Sequence, residues 1–149
     1  NYLRIKSELQ NVKVSGGESQ PNRGAIAEFV DRGGYDIVQH GCDDAGVSEA
    51  WRMSRMAEER GILLCAHNWQ GGMVTIANAH LMAAMPNRLL LESNMTANPL
   101  KENLFTEPLV VKDGCLDLEN KPGLGVTLRP DIEKEFPFIP GYWNRPDDG

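Results

Sequence analysis

Apolar residues follow two different patterns along this chain, and the two patterns alternate. Short and nearly continuous apolar segments, such as ILLCAH at 62–67, are typical of strands that are buried on both faces. Between them lie longer segments in which apolar residues recur every three or four positions, as in a helix that buries one face. This alternation predicts βα units and a parallel sheet.

The predicted elements follow from this pattern and from the glycine and proline residues that end it. The predicted strands are NVKVSGGE (11–18), YDIVQH (35–40), ILLCAH (62–67) and RLLLES (88–93). The predicted helices are NYLRIKSELQ (1–10), NRGAIAEFVDRGG (22–34), SEAWRMSRMAEERG (48–61) and TIANAHLMAAM (75–85). In the third helix we expect Ser48 to be the N-cap and Ala50, Met53 and Ala57 to be buried. From Asn94 onward we predict loops, with a hairpin in VVKDGCLDL (110–118).

Polar side chains stand where the predicted strands end. Glu18, His40, His67 and Glu92 follow one another at intervals of about one βα unit, roughly 25 residues. In a (β/α)-barrel, successive strands place such residues on a common C-terminal rim, where barrel enzymes hold their active sites. An open nucleotide-binding sheet predicts a glycine fingerprint in the first turn, and SGGES does not match G-x-G-x-x-G. The barrel is therefore the favoured architecture.

Composition and charge narrow the classes of function. The 149 residues are 41% hydrophobic, which suits one globular domain, and the net charge of −6 without long basic runs argues against a nucleic-acid partner. No apolar segment is long enough to cross a membrane, and residues 1–20 do not resemble a signal peptide. Cys42, Cys65 and Cys115 are odd in number and form no CxxC motif, which favours a reducing, cytoplasmic location.

Five motifs, in order, resemble a known family. They are VKVSGGES, YDIVQHGCDDAGVSEAWRMSRMAEERGI, LLCAHNW, HLMAAMPNRLLLES and NKPGLGVTL, which lie between Tyr2 and Arg129. This series resembles the second half of the catalytic barrel of the enolase superfamily, in its mandelate racemase-like branch. The resemblance implies an α/β fold, the C-terminal half of a modified (β/α)-barrel of roughly four βα units, over residues 1–130. Residues 131–149 are then a C-terminal tail that packs on the barrel or on a capping domain.

The resemblance also implies Mg²⁺ as cofactor and proton abstraction α to a carboxylate, through an enediolate. Glu18 matches a metal-binding carboxylate, because Mg²⁺ prefers hard oxygen ligands. His67 matches the general acid or base, since histidine exchanges protons near neutrality. Glu92 matches the carboxylate that hydrogen-bonds the substrate carboxylate, and Asn68 is a candidate substrate-binding residue. From the residues alone, Glu18 is more simply explained as a solvated turn residue and His67 as a hydrogen-bonded histidine at a strand end.

Two departures from the family pattern affect these expectations. The family places an Asp at the end of the sixth strand, bonded to the strand-seven histidine, whereas here His40 and Gly41 occupy that place. Either a small shift brings Asp43 to the site, or His40 takes the position and is a substrate-binding residue. Members of the family also have a catalytic pair of lysines, two further metal-binding carboxylates and a capping domain. The resemblance implies that all of these would lie upstream of Asn1. We therefore expect these 149 residues alone to be inactive.

Several functions remain open at this point. The leading one is a Mg²⁺-dependent sugar-acid dehydratase in which His67 protonates the leaving hydroxyl, and the alternatives in the same superfamily are a racemase or epimerase and a lactone cycloisomerase. A zinc-dependent barrel hydrolase, with His40, His67 and Glu18 as ligands, is a different class. A non-catalytic half-barrel subunit is a third. The expected partners are a small-molecule carboxylate substrate and further copies of the chain in a homo-oligomer.

Overall fold

The computed structural model describes residues 2–140, and its centre is a sheet of four parallel strands in the order β1-β2-β3-β4. The strands are β1 (Ser15–Gly16), β2 (Ile37–Val38), β3 (Leu63–Ala66) and β4 (Arg88–Leu91). The helices around and between them are α1 (Tyr2–Glu8), α2 (Arg23–Asp31), α3 (Cys42–Glu59) and α4 (Gly72–Ala84). Beyond β4 lie α5 (Pro99–Asn103), the strands β5 (Val111–Lys112) and β6 (Cys115–Leu116), and α6 (Ile132–Glu135).

The strand order identifies the sheet as part of a barrel. Each strand pairs in parallel with the next one along the chain, and a helix connects them every time. An open doubly wound sheet reverses its strand order at a switch point, and no reversal occurs among the described strands. α2 packs on α3 and α3 on α4, as in the outer layer of a barrel. The predicted α/β half-barrel of about four βα units is confirmed.

Helix-facing residues of the strands form the core with the helices. Two clusters of buried side chains fill the space between sheet and helices, one of Ile26, Val30, Tyr35, Val38, Met53 and Ala57, and one of Ala50, Leu64, Ala66, Leu81, Met82 and Met85. The predicted stripe of Ala50, Met53 and Ala57 is fully buried, which confirms the periodicity of that helix. Truncating a buried methionine such as Met53 to alanine costs about 2 to 5 kcal/mol.

The edge strand β4 is less covered by the described residues than β3 beside it. Leu90 of β4 is 54% exposed and Leu89 is 48% exposed. Within residues 2–140, β1 and β4 each pair with one strand only, so the sheet has two free edges. Free edges and exposed apolar strands favour association with further polypeptide.

The start of α3 differs from the prediction and affects the site. α3 begins at Cys42 with Gly41 as N-cap, seven residues before Ser48, so the predicted N-cap is wrong. Gly46 interrupts the helix with φ 71° and ψ 162°, a conformation that glycine adopts without the steric cost of a side chain. The interruption separates an extra first turn from the amphipathic part of the helix. This extra turn carries Asp43 to the carboxyl end of the sheet.

The C-terminal region matches its prediction in part. β5 and β6 form the predicted antiparallel hairpin, and Asp113 and Gly114 in its turn both have positive φ, as two-residue hairpin turns require. No helix among residues 2–140 is both long and apolar enough to cross a membrane. The predicted tail is described only as far as Pro140, and the remainder of it lies outside the described residues.

Candidate active site

Three of the four predicted rim residues lie together at the carboxyl end of the sheet. His67 follows β3, and its Nε2 lies 4.0 Å from Oε2 of Glu18, which follows β1. Glu92 follows β4, and its Oε2 accepts a hydrogen bond of 3.0 Å from the backbone N–H of Asn68, next to His67. Because the strands are parallel, their carboxyl ends share one edge, and residues far apart in the chain meet there.

His40 does not reach this rim, and its predicted contact with substrate is corrected by the structure. Its ring is 0% exposed and lies against α3, with Nε2 3.2 Å from the hydroxyl of Ser54. Burial lowers the pKa of His40 from 6.5 to about 4, which keeps the ring neutral. His40 shares a face of its strand with the buried Val38, two positions earlier, so period-two alternation is the signal that could have revealed its direction. The alternative zinc site of His40, His67 and Glu18 is likewise not formed.

Asp43 takes the place beside His67 that the sequence left open. Its Oδ2 lies 3.7 Å from His67 Nδ1, and its side chain is about nine-tenths buried. Neither Asp43 Oδ1 nor His67 Nδ1 has a hydrogen-bond partner among the described residues, and a small closure would join the pair. A carboxylate at Nδ1 holds the ring and leaves Nε2 available to exchange a proton. Of the two possibilities stated for the missing strand-six Asp, the structure shows the shift of Asp43.

A second aspartate extends this group. Asp43, Asp44 and His67 each offer a ligand atom within 4.8 Å of the others, a spacing that a divalent cation can also use. Partial loss of hydration, with the neighbouring charge of Asp43, raises the pKa of Asp44. Asp44 is exposed, whereas Asp43 is not, so the two carboxylates have different environments.

Glu92 is held by residues that the sequence did not single out. Gln39 donates a hydrogen bond of 2.5 Å from Nε2 to Glu92 Oε1, and the Ser15 hydroxyl donates one of 2.6 Å to Gln39 Oε1. With the Asn68 N–H on Oε2, both carboxylate oxygens of Glu92 accept hydrogen bonds from the chain. The carboxylate of Glu92 is therefore held in one orientation at the carboxyl end of β4. Gln39 precedes His40, and the same alternation that buries His40 turns Gln39 to the site.

Asn68 contributes to this arrangement from inside the protein. Its side chain is 1% exposed, so its predicted contact with substrate is corrected. Nδ2 donates to the backbone oxygen of Glu92 at 2.9 Å, and Oδ1 accepts from the Thr75 hydroxyl at 3.2 Å. All polar groups of the Asn68 side chain thus serve to connect the ends of β3 and β4 with α4.

The chemistry of Glu18 fits one ligand of a magnesium ion. Its carboxylate is 60% exposed on the rim, directly after Gly17, whose φ of 108° turns the chain at the end of β1. Carboxylate oxygens are the donors that Mg²⁺ prefers, and the ion requires several such ligands. Glu18 alone therefore fits part of a magnesium site.

The fold and this rim define a class of protein: α/β barrels that carry carboxylates and a histidine at the carboxyl ends of their strands. The sequence profile of the family described as "enolase C-terminal domain-like" matches residues 1–132, and the chain belongs to this family. The predicted membership of the enolase superfamily, in its mandelate racemase-like branch, is confirmed.

Relatives and solved structures agree with this assignment. The chain is 31% identical over 134 residues to arabinonate dehydratase of Saccharolobus solfataricus, covering 89% of the chain and 35% of that protein. It is 29% identical over 144 residues to D-galactarolactone cycloisomerase of Agrobacterium fabrum, covering 91% of the chain and 38% of that protein. An enolase of the mandelate racemase subgroup from Agrobacterium tumefaciens superposes with a TM-score of 0.77 at 30% identity, covering 89% and 36%. The chain thus spans little more than a third of the length of these proteins.

Proposed function

We propose that this protein is a sugar-acid dehydratase of the enolase superfamily. The observation that carries the proposal is the cluster of His67 with Asp43 and Glu18 at the carboxyl ends of the strands, where a substrate can reach Nε2 of the ring. The similarity to a dehydratase that acts on a sugar acid supports the substrate class, which is a small polyhydroxylated carboxylate. The cytoplasmic location and the assembly into a homo-oligomer remain predictions.

The proposed reaction removes water from the substrate. A base takes the proton α to the carboxylate, the electrons of that C–H bond form a C=C bond, and the β-hydroxyl leaves with a proton from His67. The resulting enol then tautomerises to a 2-keto acid. Asp43 beside Nδ1 stabilises the protonated ring before the transfer, so the pair can act as a general acid.

The two other carboxylates of the rim, Glu18 and Glu92, have different proposed roles. Glu18 would hold Mg²⁺, which when bound supplies positive charge that stabilises negative charge on the substrate carboxylate. Both carboxylate oxygens of Glu92 accept hydrogen bonds from other residues of the chain. We therefore assign Glu92 the role of a rigidly held side chain that orients the hydroxyl groups of the substrate. This assignment differs from the family expectation of a direct bond to the substrate carboxylate, because both oxygens of Glu92 already accept hydrogen bonds from the chain.

A second candidate is isomerisation without loss of water. A racemase or epimerase needs an efficient base on each face of the substrate, so the lack of an Asp at the end of the sixth strand disfavours these two activities and leaves a cycloisomerase open. Asp43, whose Oδ2 lies 3.7 Å from His67 Nδ1, supplies a carboxylate in that place that can orient the ring. The similarity to D-galactarolactone cycloisomerase favours the same option.

One experiment in deuterium oxide separates these outcomes. The intact protein is incubated with Mg²⁺ and a panel of C5 and C6 aldonates, aldarates and a sugar-acid lactone, and the products are followed by NMR. A 2-keto-3-deoxy acid formed from an open-chain aldonate or aldarate indicates dehydration. The same product formed from the lactone, or deuterium at the α carbon with all hydroxyls retained, indicates isomerisation. We expect dehydration, and we expect the His67→Asn variant to lose about 100-fold or more in kcat.

The control is another histidine of the same chain. His80 lies on α4 and bonds the backbone oxygen of Leu124 at 3.1 Å, outside the rim. The His80→Asn variant should keep kcat within about twofold of the parent protein, because no proton transfer uses it. If neither product nor α-deuterium forms with any member of the panel, the proposed function is wrong.

A further inference from the structure

Asn78 is a buried amide in an otherwise apolar stretch of α4. It is 0% exposed, and the buried residues around it on that helix are aliphatic, such as Ala77, Ala79 and Leu81. Burying an amide is unfavourable unless its polar atoms find hydrogen-bond partners. An asparagine at this position therefore has to be explained by the partners it meets.

These partners are the two chain segments that carry the Asp43–His67 pair. Asn78 Oδ1 accepts a hydrogen bond of 2.9 Å from the N–H of Cys42, the residue before Asp43. Nδ2 donates one of 2.8 Å to the backbone oxygen of His67. One partner is a donor and the other an acceptor, so the orientation of the amide is determined, and no aliphatic residue can replace it.

Gly41 shows how closely these segments meet. A β-carbon at Gly41 would overlap Asp43 Oδ1 and lie 2.6 Å from the His67 backbone oxygen and 3.3 Å from Asn78 Nδ2. Only a residue without a side chain therefore permits this contact. Asp43 comes from the first turn of α3 rather than from the strand itself, so the β-ladder does not set its position relative to His67.

We propose that Asn78 is a positioning residue that holds Asp43 and His67 in register for proton transfer. It contacts neither substrate nor reacting atoms, and acts by linking the N-terminus of α3 to the end of β3. The role rests on the proposed function of the Asp43–His67 pair. Residues that orient a catalytic group without touching the substrate typically contribute about 10-fold to 100-fold to activity.

The test compares two variants of Asn78 with a matched asparagine in the intact protein. Asn87 donates a hydrogen bond of 2.8 Å to the backbone oxygen of Ile62, at the opposite end of the β3 segment, and so makes the same type of bond away from the rim. We expect Asn78→Ala to lower kcat about 10-fold to 100-fold with KM changed less than about twofold. Asn87→Ala should lower the Tm and leave kcat within about twofold.

Asn78→Asp is the variant that keeps the experiment decisive if the alanine variant does not fold. Aspartate retains the acceptor for the Cys42 N–H but sets an oxygen instead of a donor against the His67 backbone oxygen, so kcat should fall at least about 10-fold below that of the parent protein. A crystal structure of either variant should show the Asp43 Oδ2 to His67 Nδ1 distance longer than 3.7 Å. Equal kcat losses in Asn78→Ala and Asn87→Ala, or an unchanged distance, would overturn the proposal.

The structural readout also separates this inference from the proposed function. If the parent protein neither dehydrates nor exchanges any sugar acid, the proposed function fails. The distance between Asp43 and His67 in the Asn78 variants still tests the positioning role in that case, because it requires no turnover.

Discussion

His40 and His67 follow neighbouring strands, yet the structure places them in opposite environments. His40 is enclosed between β2 and α3 and is neutral, with its pKa lowered to about 4 by burial. His67 lies on the rim between the carboxylates of Glu18 and Asp43. The same residue type therefore serves the core in one strand and the candidate active site in the next. The difference comes from which face of the strand each side chain occupies.

The largest expected effect is the pH dependence of folding stability that the buried ring of His40 causes. The Ser54 hydroxyl donates its hydrogen to the Ala50 backbone oxygen, so the Ser54 oxygen accepts a hydrogen bond from Nε2–H of His40. The other ring nitrogen of His40, Nδ1, has no hydrogen-bond partner among the described residues. Below pH 6.5 the unfolded chain gains a proton on His40, whereas the folded chain does so only near pH 4. The unfolded state thus binds more protons in this window, and stability falls as pH falls, by about 3 kcal/mol in total.

Urea unfolding at several pH values between 7 and 4.5 measures this loss. The His40→Leu variant should flatten the pH dependence relative to the parent protein, because leucine does not titrate. Asn87→Ala is the control and should retain the slope, since it removes a partly buried hydrogen bond but no titrating group. Parallel pH curves for the parent protein and His40→Leu would show that His40 is not buried as a neutral ring.

The next effect separates a catalytic pair from a metal cluster at His67. We expect Asp43→Asn to lower kcat about 10-fold to 100-fold, because the amide no longer stabilises the protonated ring. Asp44→Asn should change kcat by less than about threefold, since its carboxylate is exposed and lies farther from the imidazole than that of Asp43. Steady-state kinetics with the best substrate of the panel provide both values. Similar losses in the two variants would indicate that Asp43, Asp44 and His67 bind a cation together.

The smallest effect concerns Gln39, the rim-facing neighbour of His40. Replacing Gln39 by methionine keeps the length of the side chain and removes the hydrogen bond to Glu92 Oε1. We expect kcat/KM to fall about fivefold to tenfold, as for the loss of one typical hydrogen bond of about 1 kcal/mol. Ser15→Ala, which leaves the Gln39–Glu92 bond in place, should cost less. A larger loss in Ser15→Ala than in Gln39→Met would place the important contact at Ser15 instead.

Much of the architecture could be predicted because its signals are local. The alternation of apolar patterns reports strand and helix geometry directly, and it located four strands and the buried stripe of Ala50, Met53 and Ala57. The hairpin at Asp113 and Gly114 has its own turn signal. Strand ends in a parallel sheet share an edge, and this rule alone brought Glu18, His67 and Glu92 together.

The tertiary structure decided the details of the site, because they depend on contacts between distant segments. Where β2 ends, its alternation turns His40 into the core and Gln39 to the rim, and the paired strands and covering helices select that register. Asp43 reaches His67 only because α3 begins one turn early and is interrupted at Gly46. The bonds of Asn78 span 36 and 11 residues and become visible only when α4 packs on the sheet. Sequence periodicity thus determined the framework, whereas long-range packing decided which polar side chains meet within it.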